Sequence, residues 1–448
     1  MKVGELDRRF LWHPFTQMRD WLASEPLVIA SGEGNFLIDD SGRRYLDGVS
    51  SLWCNVHGHR HPTIDRAIAA QLGRIAHSTT LGLTHAPAVE LAARMVEVAP
   101  PGLRRVFYSD AGATAVEIAL KLAFQYWQLR GRPERHRFAS LVEAYHGDTI
   151  GAVSLGYSET FHRFHRPLLF DVLRLPPPHF YRRRDGLDED AASAAAIAAA
   201  ENTFARHGSE LAAIVIEPLV QGAAGMWTHP VAYLRAIARL AREAGTLLVC
   251  DEVATGFGRT GAMFASQLAG VSPDLLCAGK GITGGYLPLA ATLTSEEVFD
   301  AFLGPYEDFV TFFHGHTYTG NPLACAAGIA SLEVFESERT LENVAERARE
   351  LADRLASDVA GLAHVGDVRQ RGLMVGIELV PDSRRWSEPY PPAARIGHRV
   401  CEAVRRHGVF LRPLGNVIVL MPPLAVSSRE IALLVDATAA AIRQVTEA

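Results

Sequence analysis

Cysteine, long apolar runs and an excess of basic charge are all scarce in this 448-residue chain. The five cysteines, Cys54, Cys250, Cys277, Cys325 and Cys401, are odd in number, widely scattered and without C-x-x-C spacing. That pattern argues against a disulfide framework, and Cys250 and Cys277, inside apolar runs, read as small core residues of a reducing compartment. No apolar stretch approaches the length of a membrane span, and MKVGELDRRF carries charges with no apolar core behind them. The expectation is a soluble, cytoplasmic protein with no membrane partner. Lys and Arg number 44 against 50 Asp and Glu, a net charge of −6, so there is no electrostatic footprint for nucleic acid. The run Arg182 to Arg184 is answered by Asp185, Asp188, Glu189 and Asp190 and reads as a solvated loop.

What is present is ordinary globular material, 48% hydrophobic and 21% charged, long enough for one large core and a smaller domain. Two segments about thirty residues apart carry the chemistry. In LLVCDEVATGFGRTG, the apolar run Leu247 to Cys250 ends at Asp251, as a buried parallel strand does when it delivers a side chain at its carboxyl end. In PDLLCAGKGITGGYLPLA, the run Leu275 to Ala278 is followed by Lys280 between Gly279 and Gly281, which let backbone and a planar ligand approach closely. Alone, such an aspartate is commonly a helix cap and such a lysine a solvated side chain. Together they fit a Schiff-base lysine, its amine freed by burial, beside an acid that protonates a pyridine nitrogen and makes the ring an electron sink. Gly279, Gly281 and Gly284 also satisfy G-x-G-x-x-G, the dinucleotide fingerprint, but Pro288 argues against a long helix opening there.

Between about residues 60 and 330, apolar runs at Arg105 to Ser109, Phe138 to Val142, Ala213 to Glu217, Leu247 to Asp251 and Leu275 to Ala278 alternate with helical patterns. This is the α/β order of a mostly parallel sheet covered by helices, with an alanine-rich helix at Ala191 to Glu201. Beyond about residue 335, amphipathic helices (Leu341 to Leu355, Ile396 to Arg406, Arg429 to Val445) surround strands at Met374 to Leu379, Val409 to Arg412 and Val417 to Met421, an α+β arrangement. The expected bounds are 1–60 for an N-terminal segment, 61–334 for a large domain and 335–448 for a small domain. The proline-rich stretch Pro381 to Arg395 reads as an exposed loop.

In FYSDAGATAVEIALKLAFQYW a helix opens near Asp110 to Ala113, where small residues leave N–H groups free for a phosphate, although Ser109 and Asp110 would equally serve as N-caps. Tyr145, in EAYHGDT after the next strand, is placed to lay a ring beside a heterocycle, or else in the core. His314, Gly315, His316 and Thr317 precede the helix opening near Pro322, where a hydroxyl can donate to phosphate. His57, His59 and His61 alternate, but Gly58 breaks the geometry that would converge them on a metal, so none is expected, and His61 before Pro62 marks a helix entry.

These segments, with IVIEPLVQGAAG at Ile214 to Gly225, resemble the class III aminotransferases that use pyridoxal 5′-phosphate. LWHPFTQM, GVSSLWCNVHGHRHP, HGHTYTGNPLACA and LRPLGNVIVLMPPL are similar to the branch of that family acting in biotin biosynthesis. The resemblance implies fold type I, with a large cofactor-binding sheet domain, a smaller α+β domain from both termini, and a homodimer with active sites at the interface. It implies ping-pong transfer of an amino group to 8-amino-7-oxononanoate, giving 7,8-diaminononanoate. Lys280 would hold the cofactor and shuttle a proton, Asp251 would pair with the pyridine nitrogen and Tyr145 would stack on the ring. Gly112 and Ala113 would hold the phosphate, with His316 and Thr317 coming from the partner subunit. Phe15, Trp53, Gly315 and Arg412 would meet substrate, Arg412 as a bidentate clamp for its remote carboxylate. Members using S-adenosylmethionine carry tyrosine where this chain has Phe15, and proline where it has His316, so S-adenosylmethionine and L-lysine both stand as donors. The rival readings are another ω-amine or ω-amino acid aminotransferase, a dinucleotide-dependent oxidoreductase and a cofactor-binding protein without turnover.

Overall fold

A computed structural model describes residues 2–179, 181, 188–383 and 388–447. Near the start, β1 (Ile29–Glu33), β2 (Phe36–Asp39) and β3 (Arg44–Asp47) form a meander, and β3 also pairs in parallel with β15 (Val409–Phe410) from near the far end of the chain. The large sheet holds β4 (Leu103–Ser109), β5 (Arg137–Leu141), β6 (Val172–Leu175), β7 (Leu211–Ile216), β10 (Leu247–Asp251), β11 (Leu275–Ala278) and β12 (Ala290–Ser295), in the order β4-β12-β11-β10-β7-β5-β6. All of its pairings are parallel except the two made by β12. A two-stranded ribbon, β8 (Val220–Gln221) with β9 (Trp227–Thr228), follows β7. The last sheet has the order β13-β14-β17-β16, from β13 (Val365–Arg371), β14 (Met374–Leu379), β16 (Arg412–Leu414) and β17 (Val417–Leu420).

The central strands are continuous apolar runs because helices cover both faces of the sheet; every residue of β7, β10 and β11 is buried. The helix Gly112–Leu129 packs on one face, burying Val116, Leu120, Ala123 and Trp127 at helical spacing, and Trp127 Nε1 donates to the Ala212 carbonyl at 2.9 Å. Phe124, from the same apolar pattern, is instead exposed. Among the sequence expectations, β10, β11 and β14 fall on the expected residues, and the alanine-rich helix extends to Glu189–His207. The expected strand Val409 to Arg412 breaks at Leu411 into β15 and β16, which join different sheets. Two strands of the large sheet, β6 and β12, are not announced by the sequence pattern. β6 has only four residues, and β12, AATLTS, mixes threonine into a run that is buried as far as Thr294, so neither carries the apolar signature of its neighbours. The run Arg182 to Arg184, with Asp185, lies outside the described residues. All five cysteines are free thiols, and no helix among the described residues is long and apolar enough to cross a membrane.

Candidate active site

β10 and β11 are neighbours in register, with Asp251 opposite Cys277, so Lys280 emerges three residues past the level of the carboxylate. Both side chains line one cavity of about 410 Å³ at the carboxyl ends of the strands, together with Trp53, Gly112, Ala113, Tyr145, His146, Asp148, Glu217 and Val253. Lys280 has a left-handed backbone, φ 43°, at the start of a short 3₁₀ turn that ends at Gly284. No long helix opens at that glycine. Burial pulls the Lys280 ammonium below its usual pKa, while Asp251 and Glu217 pull the other way. Asp251 is buried; its Oδ1 accepts from the Val253 N–H at 3.1 Å, and its Oδ2 lies 2.7 Å from His146 Nδ1.

The helix Gly112–Leu129 opens over the same cavity. Its N-cap is Ala111 rather than Ser109 or Asp110, and Thr114 Oγ1 accepts the Ala111 N–H at 3.1 Å. The first N–H groups of the helix, at Gly112 and Ala113, thus lie at a dipole end with only small side chains beside them. Val253 fits between two glycines. A Cβ on Gly112 would overlap Val253 Cγ1, and one on Gly279 would come within 3.3 Å of the same methyl. The loop after β10, the helix start and the turn carrying Lys280 therefore approach one another only because two of them lack side chains.

Trp53 forms a further wall, with Lys280 Nζ 5.5 Å from its ring centroid. A Cβ on Gly222 would lie 3.2 Å from that ring. Tyr145 donates from its hydroxyl to Asp148 Oδ2 at 2.7 Å, and burial raises its pKa. Two buried ionisable lining residues, Glu217 and His146, have no role in the sequence reading. Glu217, at the end of β7, accepts the N–H groups of Tyr145 (3.0 Å) and Gly222 (2.9 Å), and burial pushes its pKa up to about 7. His146 is buried with Nε2 unpartnered and holds Asp251. The available signal was weak: an acid closing a six-residue apolar strand and a histidine beside the expected ring platform.

Other expected site residues lie outside the cavity lining in the single chain. Phe15 is exposed on the N-terminal segment, 6.2 Å edge-on from Phe161. Gly315 and Thr317 are exposed, while His316 Nδ1 lies 2.9 Å from Asp110 Oδ2, beside the helix start. Arg412 opens β16, paired with Val419. The three alternating histidines diverge: His57 Nε2 faces Ser331 Oγ (3.1 Å), His59 Nε2 faces Asp47 Oδ2 (3.1 Å) and His61 Nε2 faces Glu338 Oε1 (2.8 Å). No metal-holding cluster exists among the described residues. His61 also caps the helix Pro62–Leu72, its Nδ1 accepting from the Thr63 N–H.

This donor set fits a phosphorylated aromatic aldehyde. A desolvated amine, a fixed carboxylate and a helix N-terminus meet on one cavity beside an aromatic phenol. The family model for aminotransferase class III matches residues 19–442. A relative from Nitratidesulfovibrio vulgaris, named adenosylmethionine-8-amino-7-oxononanoate aminotransferase, is 57% identical over all of this chain and 82% of its own length. The crystal structure of the like-named protein of Methanocaldococcus jannaschii superposes with a TM-score of 0.93 at 44% identity, covering 99% of each chain. An amine transaminase from an uncultivated Pseudomonas species, solved in its PLP-bound form, gives a TM-score of 0.91 at 39% identity over 97% of this chain and 99% of its own. A match of that extent, over a site built around Lys280 and Asp251, shows that the chain belongs to the class III aminotransferases.

Proposed function

We propose that this enzyme, a pyridoxal 5′-phosphate-dependent aminotransferase, transfers an amino group to 8-amino-7-oxononanoate to form 7,8-diaminononanoate in biotin biosynthesis. The donor is S-adenosylmethionine or L-lysine. The observation that carries the reading is the Lys280 amine and the Asp251 carboxylate on one cavity under a helix N-terminus, and the names of the closely similar relatives support the acceptor.

Bound there, the cofactor supplies an aldehyde that carries the amino group and a ring that accepts an electron pair. Lys280 Nζ would hold the aldehyde carbon, and the same amine would be the group that moves a proton at the substrate carbon. Burial favours the free amine that both duties need. Asp251 holds a proton on the pyridine nitrogen, kept in place by His146 and the Val253 N–H. Gly112 and Ala113 bind phosphate through backbone N–H groups, and Tyr145 orients the ring. Trp53 forms the substrate-side wall, and Arg412 is assigned to the remote carboxylate of the keto acid.

The same reading extends to the assembly. Gly315, His316 and Thr317 complete the neighbouring subunit's site in a homodimer, and Phe15 belongs to the substrate entrance. Their position outside the single-chain cavity supports a site finished by a second copy. The chain divides as 1–60, 61–334 and 335–448, a division supported by the pairing of β3 with β15, and works in the cytoplasm. The test is the visible spectrum of the loaded protein, mixed in parallel with L-lysine and with S-adenosylmethionine, followed by the keto acid. Bleaching by one donor identifies it, and recovery on adding 8-amino-7-oxononanoate establishes both half-reactions. If neither donor bleaches the band, the broader ω-amine aminotransferase reading replaces this one.

A further inference from the structure

The turn that presents Trp53 is held in a conformation its residues do not favour. Ser50, Ser51 and Trp53 all have positive φ, at 51°, 62° and 64°. Ser51, with ψ −73°, sits in the γ-turn region that L-residues rarely occupy. Such backbone persists only where its surroundings over-determine it. The surroundings here converge on Asp47, a fully buried carboxylate at the end of β3. Its Oδ1 accepts the Ser51 N–H at 2.7 Å, and its Oδ2 accepts the Ser51 hydroxyl at 2.9 Å. His59 Nε2 stands 3.1 Å from that second oxygen, placed to supply a further donor.

The anchors are themselves fixed. Asp47 donates its N–H to the Asn35 carbonyl (2.8 Å) and pairs with Phe410 of β15. His59 exchanges both backbone hydrogen bonds with Gly34, and its ring leaves no room for a Cβ on Gly32. Of the strained residues, Ser50 is held separately, its Oγ donating to the Met421 carbonyl at 2.6 Å. The turn lies between these anchors and the cavity, and Asp47 grips it at Ser51 through both carboxylate oxygens.

We propose that Asp47 is a positioning residue for the reaction: by holding Ser51 in left-handed backbone, it seats the Trp53 ring as the cavity wall facing Lys280. The inference rests on Trp53 being the substrate-side wall. An asparagine at 47 keeps one acceptor oxygen but loses the charge and turns an amide N–H₂ toward the Ser51 hydroxyl or His59. Glycine at 51 adopts positive φ without help, whereas alanine there needs the clamp as much as serine does.

The test uses the cofactor-loaded, full-length protein and its Asp47→Asn, Ser51→Gly and Ser51→Ala variants, singly and with Asp47→Asn combined with each Ser51 change. Trp53 emission is obtained as the difference between each protein and its Trp53→Phe counterpart, with acrylamide quenching as the accessibility readout and no substrate present. Asp47→Asn should red-shift that emission and increase its quenching. It should also raise KM for the keto acid about tenfold, the equivalent of losing one charge-assisted hydrogen bond, while changing kcat less. Adding Ser51→Gly should recover much of both effects, and adding Ser51→Ala should not. Unchanged Trp53 emission and KM in Asp47→Asn, whatever its melting temperature, overturns the proposal, as does rescue by alanine equal to that by glycine. Should Asp47→Asn not fold, the single variants decide: Ser51→Ala moves the Trp53 emission and Ser51→Gly leaves it in place, and equal emission from both overturns the proposal. If the parent protein does not aminate 8-amino-7-oxononanoate, the acceptor assignment fails, and the emission data still decide the role of Asp47.

Discussion

Replacing Gly112 with alanine adds one methyl group, and its effect follows from where that methyl lands. It would overlap Val253 Cγ1, at a distance that Cβ atoms essentially never adopt. Either the first turn of the helix Gly112–Leu129 lifts or Val253 retreats, and both line the cavity. Without ligand the chain can relax in either direction, but on the proposed reading the N–H groups of Gly112 and Ala113 would have to return to the phosphate, so the overlap would oppose binding. Overpacking of this kind costs about 1–3 kcal/mol, which corresponds to a roughly 5- to 150-fold loss of cofactor affinity. The assay is a spectrophotometric titration of the apoprotein with pyridoxal 5′-phosphate. The partner variant is Val253→Ala, which removes the colliding methyl; the double variant should recover most of the affinity lost by Gly112→Ala. Parent-like affinity in Gly112→Ala, or a folded double variant that recovers nothing, would refute the close approach as the reason for glycine at this position.

Burial drives His57 and His229 down to about 3, so each is neutral in the fold but charges at its ordinary 6.5 once unfolded. Their stabilisation is complete above pH 6.5 and drains away as pH falls toward 3, by about 2 kcal/mol each between pH 6.5 and 5. The apoprotein should therefore unfold at lower denaturant as pH drops across that interval, and a flat profile contradicts the burial of both rings. Glu217 works in the opposite sense. Its carboxyl, raised to about 7, binds a proton in the fold that the unfolded chain does not bind above 4.5. It therefore adds stability as pH falls from 7 to 4.5 and partly offsets the histidines. Glu217→Gln should steepen the loss between pH 6.5 and 5 by about 2 kcal/mol, and an unchanged slope would show that Glu217 is ionised throughout. Asp251→Asn should retain bound cofactor yet lose activity by at least about a hundredfold, the lower end for removing one proton-holding group; near-parent turnover would remove Asp251 from the mechanism.

The parts legible in the sequence are those whose cause is local. Leu247 to Asp251 and Leu275 to Ala278 announce themselves because a strand covered on both faces must be apolar throughout, and a charge at its end then stands out. The helix at Gly112 is legible from its apolar spacing, although its cap is not, since Ala111 takes that place with help from Thr114 rather than from its own side chain. The illegible parts depend on distant chain. Glu217 looks like any strand-end acid until burial beside Asp251 raises its pKa. Nothing in Ser-Ser-Leu-Trp announces positive φ at three of four residues, because the partners of Ser50 and Ser51, Met421 and Asp47, lie outside that segment, with His59 behind Asp47. β12 escapes notice because threonine in a buried strand, with Thr292 Oγ1 bonded to the Ala115 carbonyl, resembles a polar loop until that partner is known.

The central claim is that Lys280 is the residue to which the cofactor attaches. Borohydride reduction of the loaded protein, followed by proteolysis and mass spectrometry, tests it most directly. A pyridoxyl phosphate adduct confined to the peptide bearing Lys280, absent after Lys280→Ala together with the visible band and turnover, is the predicted result. An adduct on another lysine, or full activity in Lys280→Ala, would contradict the account.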